Sequence, residues 1–128
     1  GDLRDVVSRR FEDGSVISVG PEDTLLTAFQ RMRLADVSQL PVLDGTQLIG
    51  VIDESDLLLC VHTDADRFRS SVKDAMTDLP ETLPASASLA ELEAVLDRGL
   101  VAMISDEDGF HGLITRTDLL NHLRRKLK

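Results

Sequence analysis

Tryptophan and tyrosine are absent from these 128 residues, and phenylalanine occurs only four times. The interior must therefore be aliphatic, built from Leu, Val, Ile and Ala. Cysteine occurs once, at Cys60, which excludes an internal disulfide and fits a reducing, cytoplasmic compartment. No run approaches the roughly 20 apolar residues of a membrane-spanning helix, and nothing resembles a signal peptide. Basic residues are outnumbered, 14 against 23 acidic, for a net charge of −9. That balance argues against a nucleic-acid binder, which needs clustered cations to displace counterions. The one basic run, Arg124-Arg125-Lys126, closes the chain. It suits a helix C-terminus, where cations favour the dipole, or a contact with a neighbouring domain. An initiator Met is missing too. The start Gly1-Asp2 is expected of a piece of something longer, or of a residue left from a tag. What remains is 42% hydrophobic and 29% charged, with a mean hydropathy of −0.03, as expected of one soluble globular domain.

One phrase is written twice. Gly50 to Leu58 reads GVIDESDLL, and 62 positions later Gly112 to Leu120 reads GLITRTDLL. The same offset lays Leu40-Pro-Val-Leu-Asp44 on Ala102-Met-Ile-Ser-Asp106, while upstream Thr24-Leu25 matches Ser88-Leu89 at an offset of 64. A repeat of this length, present only twice, predicts two units that pair to bury one shared core.

Each unit reads β-α-β-β-α. Val16-Ile-Ser-Val19 is a short β-type run ended by Gly20-Pro21. Thr24 is a good N-cap for a helix carrying Leu25, Leu26, Phe29, Met32 and Leu34. In the second unit Ser88 caps Leu89, Leu92, Val95 and Leu96, with Glu91 at the capping-box position. Two aliphatic strands follow, Gln39 to Leu43 and Leu48 to Ile52 around Asp44-Gly45, then Val101 to Ser105 and Phe110 to Thr115 around Asp106 to Gly109. Second helices are expected at about Ser55 to His62 and Thr117 to Leu127, with a polar linker at Thr63 to Ser71.

The chemistry concentrates after the second Gly112. A strand ending at Ile114 and Thr115, with a helix beginning near Thr117, places N–H groups and hydroxyls where an anion is favoured. Asp118 in the first turn reads two ways: as an acceptor for a diol such as a ribose, or as a first-turn acid favoured by capping and dipole. In the first copy Asp53 stands where Thr115 does, and with Glu54 and Asp56 it would repel a phosphate. His62, His111 and His122 share no metal-ligand spacing. There is no nucleophile elbow, Walker loop or dinucleotide fingerprint, so nothing points to catalysis or to a metal.

The doubled unit with its Gly-h-h-Thr-x-x-Asp-Leu phrase resembles the CBS-domain pair, or Bateman module, over about residues 12 to 127. The resemblance implies an α+β fold of two intertwined motifs, 12–62 and 72–127, joined by linker 63–71 around a pseudo-twofold axis. It implies two clefts for adenosyl compounds: AMP, ADP, ATP or S-adenosylmethionine. Carried over, Thr115 and Asp118 would hold phosphate and ribose with Leu113 and Thr117. The opposite wall would come from the segment Gly14 to Ile17 and from Ser38, Gln39 and Leu40. Adenine would lie among Ile17, Leu40 and Leu113. A second, weaker cleft would combine Asp53 and Asp56 with Leu83, Val101 and Ala102. Asp36 to Leu43 and Leu113 to Arg125 also look like the C-terminal regulatory region of bacterial cystathionine β-synthases, whose catalytic domain carries pyridoxal phosphate. The expectation is thus a non-catalytic, adenosyl-sensing module of a larger enzyme, without a cofactor of its own. The alternative is a structural dimerisation module with empty clefts. In either case a homodimer through the motif helices is expected, with Leu57 to Leu59 and Leu119-Leu120 at its surface.

Overall fold

Both halves of the chain are centred on an antiparallel hairpin, and the computed structural model describes residues 2–7, 9–10, 14, 16–78, 81–99 and 101–127. Strand β2 (Gln39–Asp44) pairs with β3 (Gln47–Asp53) from Gln39 opposite Asp53 to Asp44 opposite Gln47. Gly45 opens the two-residue loop at φ +64, a left-handed backbone that a residue with a Cβ adopts only at a cost. Strands β6 (Val101–Asp106) and β7 (Gly109–Thr115) repeat the pattern, from Val101 opposite Thr115 to Asp106 opposite Gly109. Register shifts fall at equivalent places, between Val42 and Leu43 and between Ile104 and Ser105.

The helices begin where their caps put them. Thr24 accepts from the Thr27 N–H to start α1 (Leu25–Ala35), and Ser88 forms a capping box with Glu91 to start α3 (Leu89–Arg98). Helix α2 spans Glu54–Val61, and α4 spans Arg116–Arg124 rather than 117–127. The expected entry strand Val16 to Val19 is not formed. Val19 alone makes a parallel bridge, to Val42, because Gly20 and Pro21 cut the run short. Its counterpart in the second repeat is a two-residue strand, β5 (Thr82–Leu83), parallel to β6. The linker carries a 3-10 turn at Ala65–Arg69. The expected start of the first motif at residue 12, and Ser15 within the segment Gly14 to Ile17, lie outside the described residues.

The chain divides into two compact units, Gly1–Val16 with Glu81–Lys128, and Ile17–Pro80. In the first, the sheet order is β1 (Arg9–Arg10), β7, β6, β5; in the second it is β2, β3, β4 (Thr77–Asp78). Each unit thus holds the hairpin of one repeat and the opening strand of the other. The first core gathers Leu92, Leu96, Ile104 and Ile114; the second gathers Leu25, Met32, Leu40, Val42 and Ile52. One shared core was the expectation; the sheets instead carry one core per unit.

Candidate functional site

The repeated phrase is first of all a device for starting a helix. In the unit holding α4, the Thr115 hydroxyl accepts from the Asp118 N–H at 3.2 Å, and the Asp118 carboxylate accepts from the Thr115 N–H at 2.8 Å. These bonds satisfy N–H groups that a helix start leaves without partners. Both side chains are half-buried at the end of β7, where strand pairing sets Val101 opposite Thr115. Leu113 is half-buried and Thr117 exposed. Arg116, which the sequence did not single out, sends its Nε and Nη2 to the Leu96 carbonyl at 2.9 and 2.8 Å, closing the C-terminal turn of α3.

In the other unit a carboxylate does the work of the hydroxyl. Asp53 accepts from the Asp56 N–H at 2.8 Å and from the Ser55 hydroxyl at 2.9 Å, while Asp56 accepts from the Asp53 N–H at 3.0 Å. Burial pushes the Asp53 carboxyl up, but the N–H groups of Asp56 and Ser55 and the Ser55 hydroxyl outweigh it and hold Asp53 below the usual range. Asp56 is pushed up, by burial first and then by the Asp53 charge beside it. Gln39 lies opposite Asp53, and the Ser38 carbonyl accepts from the Glu54 N–H at 3.0 Å.

The two starts therefore share a geometry and differ in charge. Around α4 stand the Thr115 hydroxyl, a helix dipole, the guanidinium of Arg116 held on the Leu96 carbonyl and a single carboxylate, Asp118; around α2 stand three, Asp53, Glu54 and Asp56. With one carboxylate against three, the first arrangement suits an anion better than the second.

Leu40 was expected beside adenine and Ala102 in the second cleft. Leu40 is 1% exposed and Ala102 fully buried, each packed into the core of its own unit. Ile17 is exposed, Val101 and Leu83 half-buried. Leu57 of α2 belongs to the core of its unit, and Leu119 of α4 is half-buried against the core of the other; the leucines of these two helices that reach solvent are Leu58, Leu59, Leu120 and Leu123. A groove of about 410 Å³ lined by Phe29, Leu57, Leu58, Val61 and Phe68 runs beside Glu54 and Ser55. His111 bonds the Asp106 carboxylate at 2.8 Å, and the other oxygen of Asp106 accepts from the Ala85 N–H at 2.9 Å. Among the described residues no group of three His, Cys, Asp or Glu side chains is placed to hold a metal ion. Nor is any helix among them long and apolar enough to cross a membrane.

The chain is 30% identical over 107 residues to an inosine-5'-monophosphate dehydrogenase of Korarchaeum cryptofilum, a match covering 81% of this chain and 21% of that protein. It thus spans about a fifth of that relative's length. Among solved structures it is similar to a CBS domain-containing protein of Bacillus anthracis, at a TM-score of 0.84 and 23% identity over 99% of this chain and 95% of that one. CBSX2, an Arabidopsis thaliana CBS-pair protein solved in complex with AMP, matches at a TM-score of 0.80 and 24% identity over 98% of each chain. The family model described as CBS domain matches residues 3–63 and again 72–125. With two motifs of α+β fold filling nearly the whole chain, this protein belongs to the CBS domain family.

Proposed function

We propose that the chain is a regulatory module that senses an adenosyl ligand, with its stronger site at Thr115 and Asp118. The observation that carries this reading is the charge difference between the two helix starts. Only the α4 start offers a hydroxyl and an N-terminal dipole without a ring of carboxylates. There Thr115, freed to turn its hydroxyl proton outward, donates to a phosphate, and Asp118 accepts from ribose hydroxyls. The crystal structure of CBSX2 in complex with AMP supports an adenine nucleotide. The carboxylates Asp53, Glu54 and Asp56 of the α2 start repel a phosphate and are better matched to the sulfonium of S-adenosylmethionine.

The module would serve a larger enzyme. The resemblance of residues 36–43 and 113–125 to the regulatory region of cystathionine β-synthases favours a pyridoxal-phosphate parent. The stretch shared with inosine-5'-monophosphate dehydrogenase favours a nucleotide-making one. Ligand binding would bias the module between two arrangements by its differential affinity for them.

Isothermal titration with AMP, ATP and S-adenosylmethionine in turn tests the reading. Saturable heat with one of them, lost in Asp118→Ala, is expected. Silence from all three, together with a tight dimer by equilibrium sedimentation, would replace it with a structural dimerisation module. The exposed Leu58 and Leu59 and the apolar groove beside them favour that second reading.

A further inference from the structure

The second helices of the two repeats carry the same apolar seam between opposite charges. At the offset of 62, Glu54, Leu58, Val61 and Asp64 fall on Arg116, Leu120, Leu123 and Lys126. The first three of each set, at i, i+4 and i+7, share one helix face, and the fourth follows the last turn. All four charged residues are exposed. So are the central leucines, Leu58 at 64% and Leu120 at 66%.

The two faces also differ in shape. The groove of about 410 Å³ beside α2 is walled by Phe29 and Phe68, whose ring centroids stand 6.0 Å apart. In the second repeat the position of Phe29, at the offset of 64, is held by the exposed Glu93. The α2 face thus offers an aromatic hollow, and the α4 face offers the exposed Leu120 and Leu123.

We infer that the groove beside α2 receives α4 of a second copy of this chain, with the two helices antiparallel. This rests on the dimer reading given above and is independent of what the α4 start binds. Charge selects the pairing. Packing α2 on α2 sets acids against acids, and packing α4 on α4 sets cations against cations, in either direction. Only the unlike pair joins opposite signs. Direction follows from where the charges gather. Asp53 and Glu54 stand at the start of α2, and Arg124, Arg125 and Lys126 at the end of α4. Past the end of α2, by contrast, Asp64 is followed by Arg67 and Arg69. Antiparallel packing lays the three cations on the α2 start and also opposes the helix dipoles. A two-fold axis makes the contact twice, α2 to α4 and α4 to α2. Exposed ion pairs contribute little affinity, so the leucines in the groove hold the copies together and the charges choose which faces meet.

Sedimentation equilibrium of the full chain tests the pairing. The wild-type dissociation constant should rise with salt, because screening weakens attraction between unlike faces. Glu54→Lys should raise it at least about fivefold at low salt, as should Arg124→Glu combined with Arg125→Glu. An equimolar mixture of these two variants should regain the wild-type affinity, since each then meets the complementary charge on the other. Should a variant fail to fold, the salt dependence of the wild type still separates the pairings. A dimer that tightens with salt, or with Glu54→Lys, pairs like with like and would overturn the inference, as would a mixture no tighter than its components. A wild-type chain that stays monomeric at low salt would overturn the dimer reading itself and the inference with it.

Discussion

Asp56 and Asp118 occupy equivalent positions in equivalent helices, with Asp53 standing where Thr115 does, and substitutions at these positions separate capping from recognition. Asp118→Ala removes half of a capping box, so unfolding should show a loss of about 0.5–1 kcal/mol whether or not a ligand binds. Loss of adenosyl affinity well beyond that figure is the signature of a ribose contact. Asp53→Thr should relieve the like charge beside Asp56 and bring the Asp56 carboxyl down toward its ordinary range, followed by carboxyl-carbon NMR through a pH titration. The signs of the pair oppose each other. Asp53, held low, stabilises above the carboxylate range and loses that contribution as pH falls. Asp56, pushed up, favours the fold when protonated and loses that contribution as pH rises through its folded value. Asp106 behaves like Asp53. The Ala85 N–H first, then His111 and the Asp108 N–H, hold its carboxyl low against burial, so it stabilises above the carboxylate range. Asp106→Asn should therefore flatten the loss of stability on acidification, read from urea midpoints across the carboxylate range.

At the scale of elements, strand β3 is constrained from both sides. β2 fixes its register through the Gly45 loop, and β4 requires the bare backbone at Gly50. Gly50→Ala must displace the Thr77 carbonyl or the β4 strand, and about 1–3 kcal/mol of destabilisation is expected in chemical denaturation. Helix α1 ends on a different compromise. Asp36 takes φ +54 and donates its N–H to the Met32 and Arg33 carbonyls, a left-handed cap that glycine adopts freely. Asp36→Gly is expected to raise stability by about 0.5–1 kcal/mol, visible as a higher thermal midpoint.

At the scale of the whole molecule, ligand and fold are linked by mass action. An adenosyl ligand at a hundred times its dissociation constant should add about 2.7 kcal/mol to the stability of the unit it binds. If the α4 start is the site, that gain should appear as slower hydrogen exchange in β6 and β7 and should vanish in Asp118→Ala. Association is a second global property. Leu58→Glu with Leu59→Glu should shift sedimentation toward monomer if the α2 face joins two copies, with little cost to folding because both side chains already meet solvent.

Much of this was legible in the residues alone. The doubled phrase, the Asp44-Gly45 turn and the caps at Thr24 and Ser88 are local signals, decided by backbone geometry within a few positions, and the structure forms each of them. The capping role of Asp118 was also readable, because an acid three residues after a Thr at a helix start satisfies N–H groups wherever the helix is placed. Other features depend on distant chain. That Leu40 and Ala102 turn inward follows from which face of each hairpin the helices cover. The departure of residues 2–10 from their own repeat was not legible either, since Leu3-x-x-Val6-Val7 states only that an apolar turn needs a partner. Which sheet supplies that partner is settled by the open edge beside Gly112 and by the core behind it, and both exist only once the chain has folded.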